Sequence, residues 1–286
     1  MDLRIIMTHA SLFSGIGGFD LAAELAGWTN SFNCEIDPFC QRVLKYHFPN
    51  AEQYADIRTT DFTIWRERID VLTGGFPCQP FSLAGKRRGT EDDRYLWPEM
   101  LRAIQQIRPR WIVGENVFGI VNWSRGVVFE QVCADMETEG YEIQPFMLPA
   151  CAVGAPHRRD RCWFVAHRAD AGIETMRERQ DGVHAAGTAS DACGGRLSIA
   201  GATWRRRAGF KDGRIIPNWD DFPTQSPVLC RNDGVSGGLD GITFPKWRNM
   251  SIKAYGNAIV PQVALQIFKT INEYENHARK HRIQKL

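Results

Sequence analysis

Short apolar runs alternate with helix-like segments over the first half of the chain. The apolar runs that predict strands cover residues 5–13, 32–36, 69–73, 111–114, 142–148 and 161–166. Between and after them, apolar residues recur at helical spacing over residues 19–26, 38–48, 95–107, 127–139 and 261–277. This alternation predicts an α/β fold, with a doubly wound, mostly parallel sheet and helices on both of its faces.

The pattern changes after about residue 167. Residues 168–221 are rich in Gly, Ala, Arg and Asp and carry little apolar periodicity, and order returns near Tyr255. We interpret residues 168–249 as a small second lobe inserted into the main fold. The main domain then consists of residues 1–167 and 250–286.

Composition narrows the class of protein. Of 286 residues, 43% are hydrophobic and 24% are charged, which is typical of a globular chain. No apolar run approaches the roughly 18 residues of a membrane span, and the amino terminus lacks the apolar core of a signal peptide. The eight cysteines form no C-x-x-C pair, so we expect reduced thiols and no metal site. These features predict a cytoplasmic protein with no membrane partner.

A glycine-rich turn follows the first predicted strand. Residues 13–18 read Phe-Ser-Gly-Ile-Gly-Gly, and glycines at such a turn let a ligand approach the backbone closely. Glu35 lies 20 residues beyond Gly15, at the end of the second predicted strand, where an acid hydrogen-bonds ribose hydroxyls. Asp56 and Ile57 follow another short segment and are placed to touch an adenine. These residues alone leave two interpretations open, a nucleoside site or a plain turn with two surface acids.

A cysteine occupies the loop after the strand at residues 69–73. The loop reads Gly-Gly-Phe-Pro-Cys-Gln-Pro-Phe-Ser, with Cys78 in the crevice where such sheets bind ligands. Most free cysteines are buried and inert, which we expect of Cys34, Cys40, Cys133, Cys151 and Cys162. For Cys78 the polar loop and the basic cluster at residues 86–88 favour a reactive thiolate instead.

Charged side chains end two further predicted strands. Glu115 follows the strand at residues 111–114 and could serve as a general acid. Arg159 and Arg161 alternate before the last strand, so both side chains would point to one face and hold a base oxygen. The alternative interpretation of these three residues is a structural ion-pair network.

Together, these segments resemble the cytosine-C5 DNA methyltransferases, in the order in which that family carries them. The resemblance also takes in residues 255–261, Tyr-Gly-Asn-Ala-Ile-Val-Pro, which are similar to the family's last motif. His157 stands where the family usually has Gln, and the family's recognition-lobe helix is not evident between residues 221 and 249. The resemblance covers most of the chain outside residues 168–249. It implies a Rossmann-like methyltransferase fold with a short target-recognition lobe.

The resemblance implies a binding site for S-adenosylmethionine, with S-adenosylhomocysteine as the product. The residues that match the cofactor motifs are Phe13, Ser14, Gly15, Gly17, Gly18, Glu35, Ile36, Asp56, Ile57, Gly75, Pro77, Leu96, Asn257 and Ala258.

The resemblance also implies the chemistry. The thiolate of Cys78 would add to carbon 6 of a cytosine that has flipped out of duplex DNA, Glu115 would protonate N3, and Arg159 would hold O2 with Arg161 in support. The loop at residues 82–94 would close over the base. The residues expected to contact DNA are Gln79, Ser82, Lys86, Arg87 and Arg88.

Two alternatives stay open from the sequence. A tRNA cytosine-C5 methyltransferase would share every chemical residue, and a catalytically silent DNA-binding relative would keep the fold. We expect a monomer of the bacterial or phage-encoded type. The resemblance also allows a cognate restriction nuclease as a partner.

Overall fold

Seven strands form a single sheet. The computed structural model describes residues 6–77, 95–168 and 244–284, and for 244–246 and 281–284 it describes the backbone only. The strands are β1 (Thr8–Leu12), β2 (Thr29–Cys34), β3 (Glu52–Tyr54), β4 (Val71–Gly74), β5 (Trp111–Val117), β6 (Tyr141–Pro149) and β7 (Asp160–Arg168). Their order is β3-β2-β1-β4-β5-β7-β6. The first five strands are parallel, and β7 is antiparallel to both β5 and β6. The predicted doubly wound, mostly parallel sheet is confirmed.

Six α-helices accompany the sheet in the described part of the chain. They are α1 (Gly18–Leu25), α2 (Pro38–His47), α3 (Trp97–Ile107), α4 (Val127–Thr138), α5 (Phe244–Asn257) and α6 (Pro261–Gln284). Local sequence signals determine where some of these helices begin. Asp37 caps α2 by accepting a hydrogen bond from the Phe39 N–H, and Pro38 fills the first position, where its missing N–H costs nothing.

Alternation along the strands divides the core between the two faces of the sheet. Leu12, Leu72 and Ile112 pack on one face against α3 and α4. Val71 and Val113 point to the other face, where α1 and α6 cover them. Because both faces are covered, the central strands β4 and β5 are mostly apolar, which is why they could be predicted. The short and mostly polar β3 was not predicted as a strand.

The structure extends one predicted strand and adds a helix that the sequence did not predict. Strand β5 continues to Val117, three residues past its predicted end, because Glu115 and Asn116 pair with β7 although they are polar. Helix α5 begins at Phe244, well before Tyr255, where order was expected to return. Lys, Arg and Asn interrupt the apolar pattern of α5 and hide it in the sequence.

Most of the predicted recognition lobe lies outside the described residues. Arg168 is the last residue of β7, and the description resumes at Phe244. The division into two domains therefore stays a prediction. No helix in the described ranges combines the length and apolar content that crossing a bilayer requires.

Candidate functional site

The sequence-predicted residues converge on one edge of the sheet. The glycine turn follows the carboxyl end of β1, and Glu35 follows the carboxyl end of β2. The loop at residues 75–77 follows the carboxyl end of β4. Glu115 lies near the carboxyl end of β5, and because β7 runs antiparallel, Arg161 enters at the same edge. Parallel sheets bind their ligands at this edge.

The glycine turn has an unusual backbone. Phe13, Gly15 and Gly17 all have positive φ angles, of 52°, 56° and 85°. Glycine adopts this conformation freely, whereas Phe13 does so only under restraint. A Cβ on Gly17 would collide with the Phe48 ring, and one on Gly18 would lie 2.6 Å from Cγ1 of Ile259, so both glycines are also needed for packing.

Glu35 closes the turn from the side of β2. Its carboxylate accepts hydrogen bonds from the N–H groups of Gly15 at 2.7 Å and Asp37 at 2.8 Å. Next to it, Ile36 leaves 61% of its surface exposed, which is unusual for a large apolar side chain beside a polar turn. A half-buried carboxylate, an exposed apolar side chain and an open glycine turn together fit a nucleoside ligand.

Asp56 and Ile57 are engaged within the protein. The Asp56 carboxylate accepts hydrogen bonds from the guanidinium of Arg58 at 2.9–3.2 Å, and these bonds lower its pKa. Ile57 is 5% exposed, so its side chain belongs to the core. Its carbonyl accepts a hydrogen bond from Arg102. Contact of this pair with an adenine stays a prediction, in which Ile57 would take part through its backbone.

The loop after β4 is fixed up to the position before the candidate nucleophile. Phe76 is buried against Trp97, and its carbonyl accepts a hydrogen bond from the Asn116 side chain at 2.9 Å. The Leu96 N–H donates to the carbonyl of Pro77. The residues that follow lie outside the described part of the chain; among them are Cys78, Gln79, Ser82, Lys86, Arg87 and Arg88.

Glu115 is a buried carboxylate with one ion-pair partner on β7. It is 9% exposed, and its Oε1 lies 2.9 Å from Nε of Arg161. Its other oxygen faces the loop after β4, since a Cβ on Gly75 would lie 3.6 Å from it. Burial raises the pKa of Glu115, and the charges of Arg161 and Arg159 only partly oppose this. A buried acid with a raised pKa can hold a proton for transfer.

Arg159 has a different place from the one that its spacing predicts. Strand β7 begins only at Asp160, and Arg159 has a φ of 41°, so the alternation that would align it with Arg161 does not reach it. Its guanidinium donates to the carbonyls of Gly256 at 2.9 Å and Ala258 at 2.6 Å. The partner of Glu115 is therefore Arg161, and Arg159 ties β7 to the segment between α5 and α6.

That segment also touches the glycine turn. Asn257 is the exposed last residue of α5, and Ala258 follows it half-buried. Ile259 then packs over Gly18, which has no side chain to prevent the contact. Residues 257–259 therefore lie beside the turn, where the family resemblance puts the completion of the cofactor pocket.

Four of the five described cysteines are poor nucleophiles. Cys34, Cys40 and Cys162 are buried as expected, whereas Cys133 and Cys151 are only half-buried. Burial raises the pKa of Cys34, Cys40 and Cys162 to about 12 and that of Cys133 to about 11. Thiols in this range are protonated near neutral pH and react slowly.

Three side chains that support the site were not assigned a role from the sequence. Asn116 holds the loop after β4, Arg102 holds the carbonyl of Ile57, and Ile259 covers Gly18. Asn116 and Ile259 lie inside segments that resemble family motifs, so their positions in the sequence could have indicated a role at the site. Nothing in the sequence indicated a role for Arg102, because an arginine on an amphipathic helix is usually solvated. Within the described ranges, no group of three or more His, Cys, Asp or Glu side chains is placed to bind a metal.

Comparison with known proteins agrees with the family resemblance of the sequence. The family model for C-5 cytosine-specific DNA methylases matches residues 7–191. The type II methyltransferase M.Eco47II of Escherichia coli is 38% identical over 168 residues, which are 58% of this chain and 40% of that protein. The type II methyltransferase M.AquIA of a Picosynechococcus strain is 34% identical over 175 residues, or 55% of this chain and 71% of that one.

A solved structure supports the fold alone. DNMT2 of Spodoptera frugiperda superposes with a TM-score of 0.50 at 24% sequence identity, over 59% of this chain and 52% of that one. The chain spans less than half of M.Eco47II, so the relatives contain more protein than the part that matches.

Proposed function

The chain belongs to the C-5 cytosine-specific DNA methylases, and from that premise we propose that it transfers a methyl group from S-adenosylmethionine to carbon 5 of a cytosine in double-stranded DNA. The observation that carries the proposal is the pair of Glu115 and Arg161 beside the loop of residues 75–77. That loop leads directly into Cys78, so nucleophile and acid would approach the same base.

Cys78 would start the reaction. Its thiolate would form a bond to carbon 6 of the cytosine, which gives carbon 5 the electron density to attack a methyl group. After the methyl group has been taken up, carbon 5 loses its proton and the bond between sulfur and carbon 6 breaks. The ring is then aromatic again and the thiolate is restored.

Glu115 would supply the proton that the first step needs. Negative charge develops on the ring when the sulfur adds, and a proton at N3 neutralises it. Because burial raises the pKa of Glu115, the carboxyl retains its proton closer to neutral pH. The geometry supports Arg161 as the residue that orients this carboxyl and holds O2, and Arg159 as the residue that holds residues 256–258 in place.

Residues of the neighbouring strand ends would hold the cofactor. The glycine turn, Glu35 and Ile36 fit its nucleoside, and Ala258 would complete the pocket from the carboxyl-terminal side. When bound, S-adenosylmethionine supplies an electrophilic methyl group. The chain's own contribution is to fix the turn, accept hydrogen bonds from the ribose at Glu35, and keep water away from the base.

The cytosine would have to leave the duplex. A stacked base cannot reach an acid that is 9% exposed at a sheet edge, so we infer base flipping. Phosphate contacts would come from Lys86, Arg87 and Arg88, and sequence recognition from residues 168–249. The monomeric state and a cognate nuclease stay predictions.

Transfer of a labelled methyl group tests the proposal. The purified chain is incubated with labelled S-adenosylmethionine and, separately, with mixed-sequence duplex DNA and tRNA. We expect label in DNA at carbon 5 of cytosine and none in tRNA. Cys78→Ser should abolish transfer, whereas Cys133→Ser, at a half-buried cysteine on α4, should leave it intact.

Three results would contradict the proposal. Label in tRNA alone would favour the tRNA methyltransferase. DNA binding without any transfer would favour a silent relative. Full activity of Cys78→Ser would remove the assigned nucleophile.

A further inference from the structure

A strip of polar side chains lies buried beneath the glycine turn, on the face of the sheet that α1 and α6 cover. His9 and Ser11 point from β1 to this face, and Asp20 points to it from α1; all three are 0% exposed. The core around them includes the aromatic rings of Phe19 and Phe268. Burying a carboxyl group here costs free energy, so its hydrogen bonds indicate what holds it in place.

The hydrogen bonds form a chain that leads from Asp20 to the glycine turn. The Ser11 hydroxyl lies 2.9 and 3.0 Å from the two oxygens of Asp20, and its Oγ lies 2.7 Å from Oγ of Ser14. The Ser14 hydroxyl in turn accepts a hydrogen bond from the Cys34 N–H at 3.1 Å. The chain of bonds therefore connects α1 with the carboxyl ends of β1 and β2.

Ser14 is the residue through which this chain can act on the turn. It lies between Phe13 and Gly15, which both have positive φ angles. A non-glycine residue keeps such a backbone only when its surroundings impose it. Cys34 directly precedes Glu35, whose carboxylate accepts the Gly15 N–H. The two hydroxyls thus fix the turn from below, and Glu35 fixes it from the side.

We propose that Asp20 is a positioning residue for the cofactor: its carboxyl orients the hydroxyls of Ser11 and Ser14 and thereby holds the glycine turn in the shape that receives the nucleoside. The proposal rests on the proposed function, because it presumes that the turn binds S-adenosylmethionine. Asp20 is fully buried and touches neither cofactor nor base, so its effect passes through the turn.

The protonation state of Asp20 sets the direction of these hydrogen bonds. An ionised carboxylate accepts the Ser11 proton, so Ser11 is free to accept from Ser14. A protonated carboxyl can donate to Ser11; Ser11 then donates to Ser14, and the Ser14 proton turns toward the carbonyl of Ser11 or of Cys34. Cofactor affinity should therefore change with pH through the titration of this one group.

The charged and titratable groups around Asp20 support this assignment. Burial, aided by the charge of Glu24 on the same helix, raises the pKa of Asp20 to about 7, although the hydrogen bond from Ser11 opposes the rise. Across the sheet face, burial lowers the pKa of His9 to about 4, so His9 is neutral when Asp20 titrates. Asn30 links the two residues, since it bonds the His9 ring and the carbonyl of Asp20 without a charge of its own.

A substitution at Asp20 separates positioning from general stability. In Asp20→Asn the amide oxygen still accepts from Ser11, whereas Asp20→Ala removes the acceptor. The matched control is Ile271→Ala, a buried residue of α6 in the same core, which lowers stability without touching the turn. Dissociation constants for S-adenosylmethionine are measured by calorimetry between pH 6 and pH 8.5, and amide hydrogen exchange of residues 12–18 is measured on the free protein.

We expect Asp20→Ala to bind S-adenosylmethionine about tenfold more weakly, the usual loss when a hydrogen bond to a charged group is removed. Exchange in the turn should become faster, while kcat at saturating cofactor stays unchanged. Asp20→Asn should bind within about threefold of the wild type, because the acceptor is retained, and should lose the pH dependence.

Two kinds of result would overturn the inference. Wild-type affinity and exchange in Asp20→Ala would overturn it while leaving the proposed function intact, and so would an equal loss of affinity in Ile271→Ala. A wild-type protein that binds no S-adenosylmethionine would refute the proposed function and this inference together.

Discussion

A buried carboxylate lies beside an arginine at each end of β5. The two carboxylates differ in whether both of their oxygens are used in contacts that join a helix to the sheet. At the amino end, Glu275 of α6 is 4% exposed; its Oε2 accepts from Arg110 at 2.6 Å and its Oε1 from the Trp111 indole at 2.8 Å. At the carboxyl end, Glu115 bonds Arg161 through Oε1 and turns its second oxygen to the loop after β4.

The difference shows that burial and an arginine partner do not by themselves identify a catalytic acid. Both oxygens of Glu275 are used to join a helix to the sheet, at the edge opposite the site. Glu115 keeps one oxygen toward the edge where ligands bind, and burial raises its pKa. The ion-pair network that the sequence left open as an alternative therefore describes Glu275 well and Glu115 only in part.

The substitution Glu115→Gln is expected to have the largest effect, and it tests whether Glu115 acts as a general acid. The amide keeps the shape of the side chain but has no acidic proton, so kcat should fall by about 10²- to 10⁴-fold, the usual contribution of a general acid. Because the amide also loses the ion pair with Arg161, the rate is expressed per folded molecule. Single-turnover methyl transfer to duplex DNA measures the rate, and an unchanged rate would remove Glu115 from the mechanism.

The matching change at the other end is Glu275→Gln. It removes the buried carboxylate and leaves Arg110 with only the more distant carboxylate of Asp70, 3.8 Å away, so we expect the free energy of unfolding to drop by about 2 kcal/mol. This is less than for a fully buried pair, because 31% of the Arg110 side chain is exposed and water screens it. Urea denaturation measures the loss. The rate per folded molecule should be unchanged, and a reduced rate would mean that the two ends are coupled.

The smallest expected effect is a pH dependence of stability that Glu115 contributes. The pKa of Glu115 is raised in the folded protein, so the folded state binds its proton more tightly than the unfolded chain does. This contribution is fully present below the ordinary glutamate pKa and is lost as the pH rises through the raised value. The stability of Glu115→Gln relative to the wild type should therefore improve with rising pH. A constant difference would show that the pKa is not raised.

The central strands could be predicted from the sequence, because burial on both faces leaves β4 and β5 mostly apolar and the turns after β1 and β4 carry glycine or proline. Strand β3 was missed because Glu52 and Gln53 are polar. The convergence of the glycine turn, Glu35 and Glu115 followed from the rule that parallel strands end at one edge. The end of β5 was missed because Glu115 and Asn116 are polar, and α5 because its apolar pattern is broken.

Other contacts could not be predicted, since they join residues that are distant in sequence. Nothing at Arg159 signals that its guanidinium will bond the carbonyls of Gly256 and Ala258, because carbonyl acceptors are present at every residue. Asp20 was equally hidden. An acid in the first turn of a helix is usually explained by the helix dipole, and only the fold shows that this one is buried against Ser11.

The contact between Gly18 and Ile259 can form only late in the synthesis of the chain. The two residues are separated by about 240 positions, so a ribosome must add that many residues after Gly18 before Ile259 can pack over it. At ordinary translation speeds this delay is on the order of ten seconds or more. Until Ile259 has been made, the turn of a nascent chain lacks the side chain that packs over Gly18.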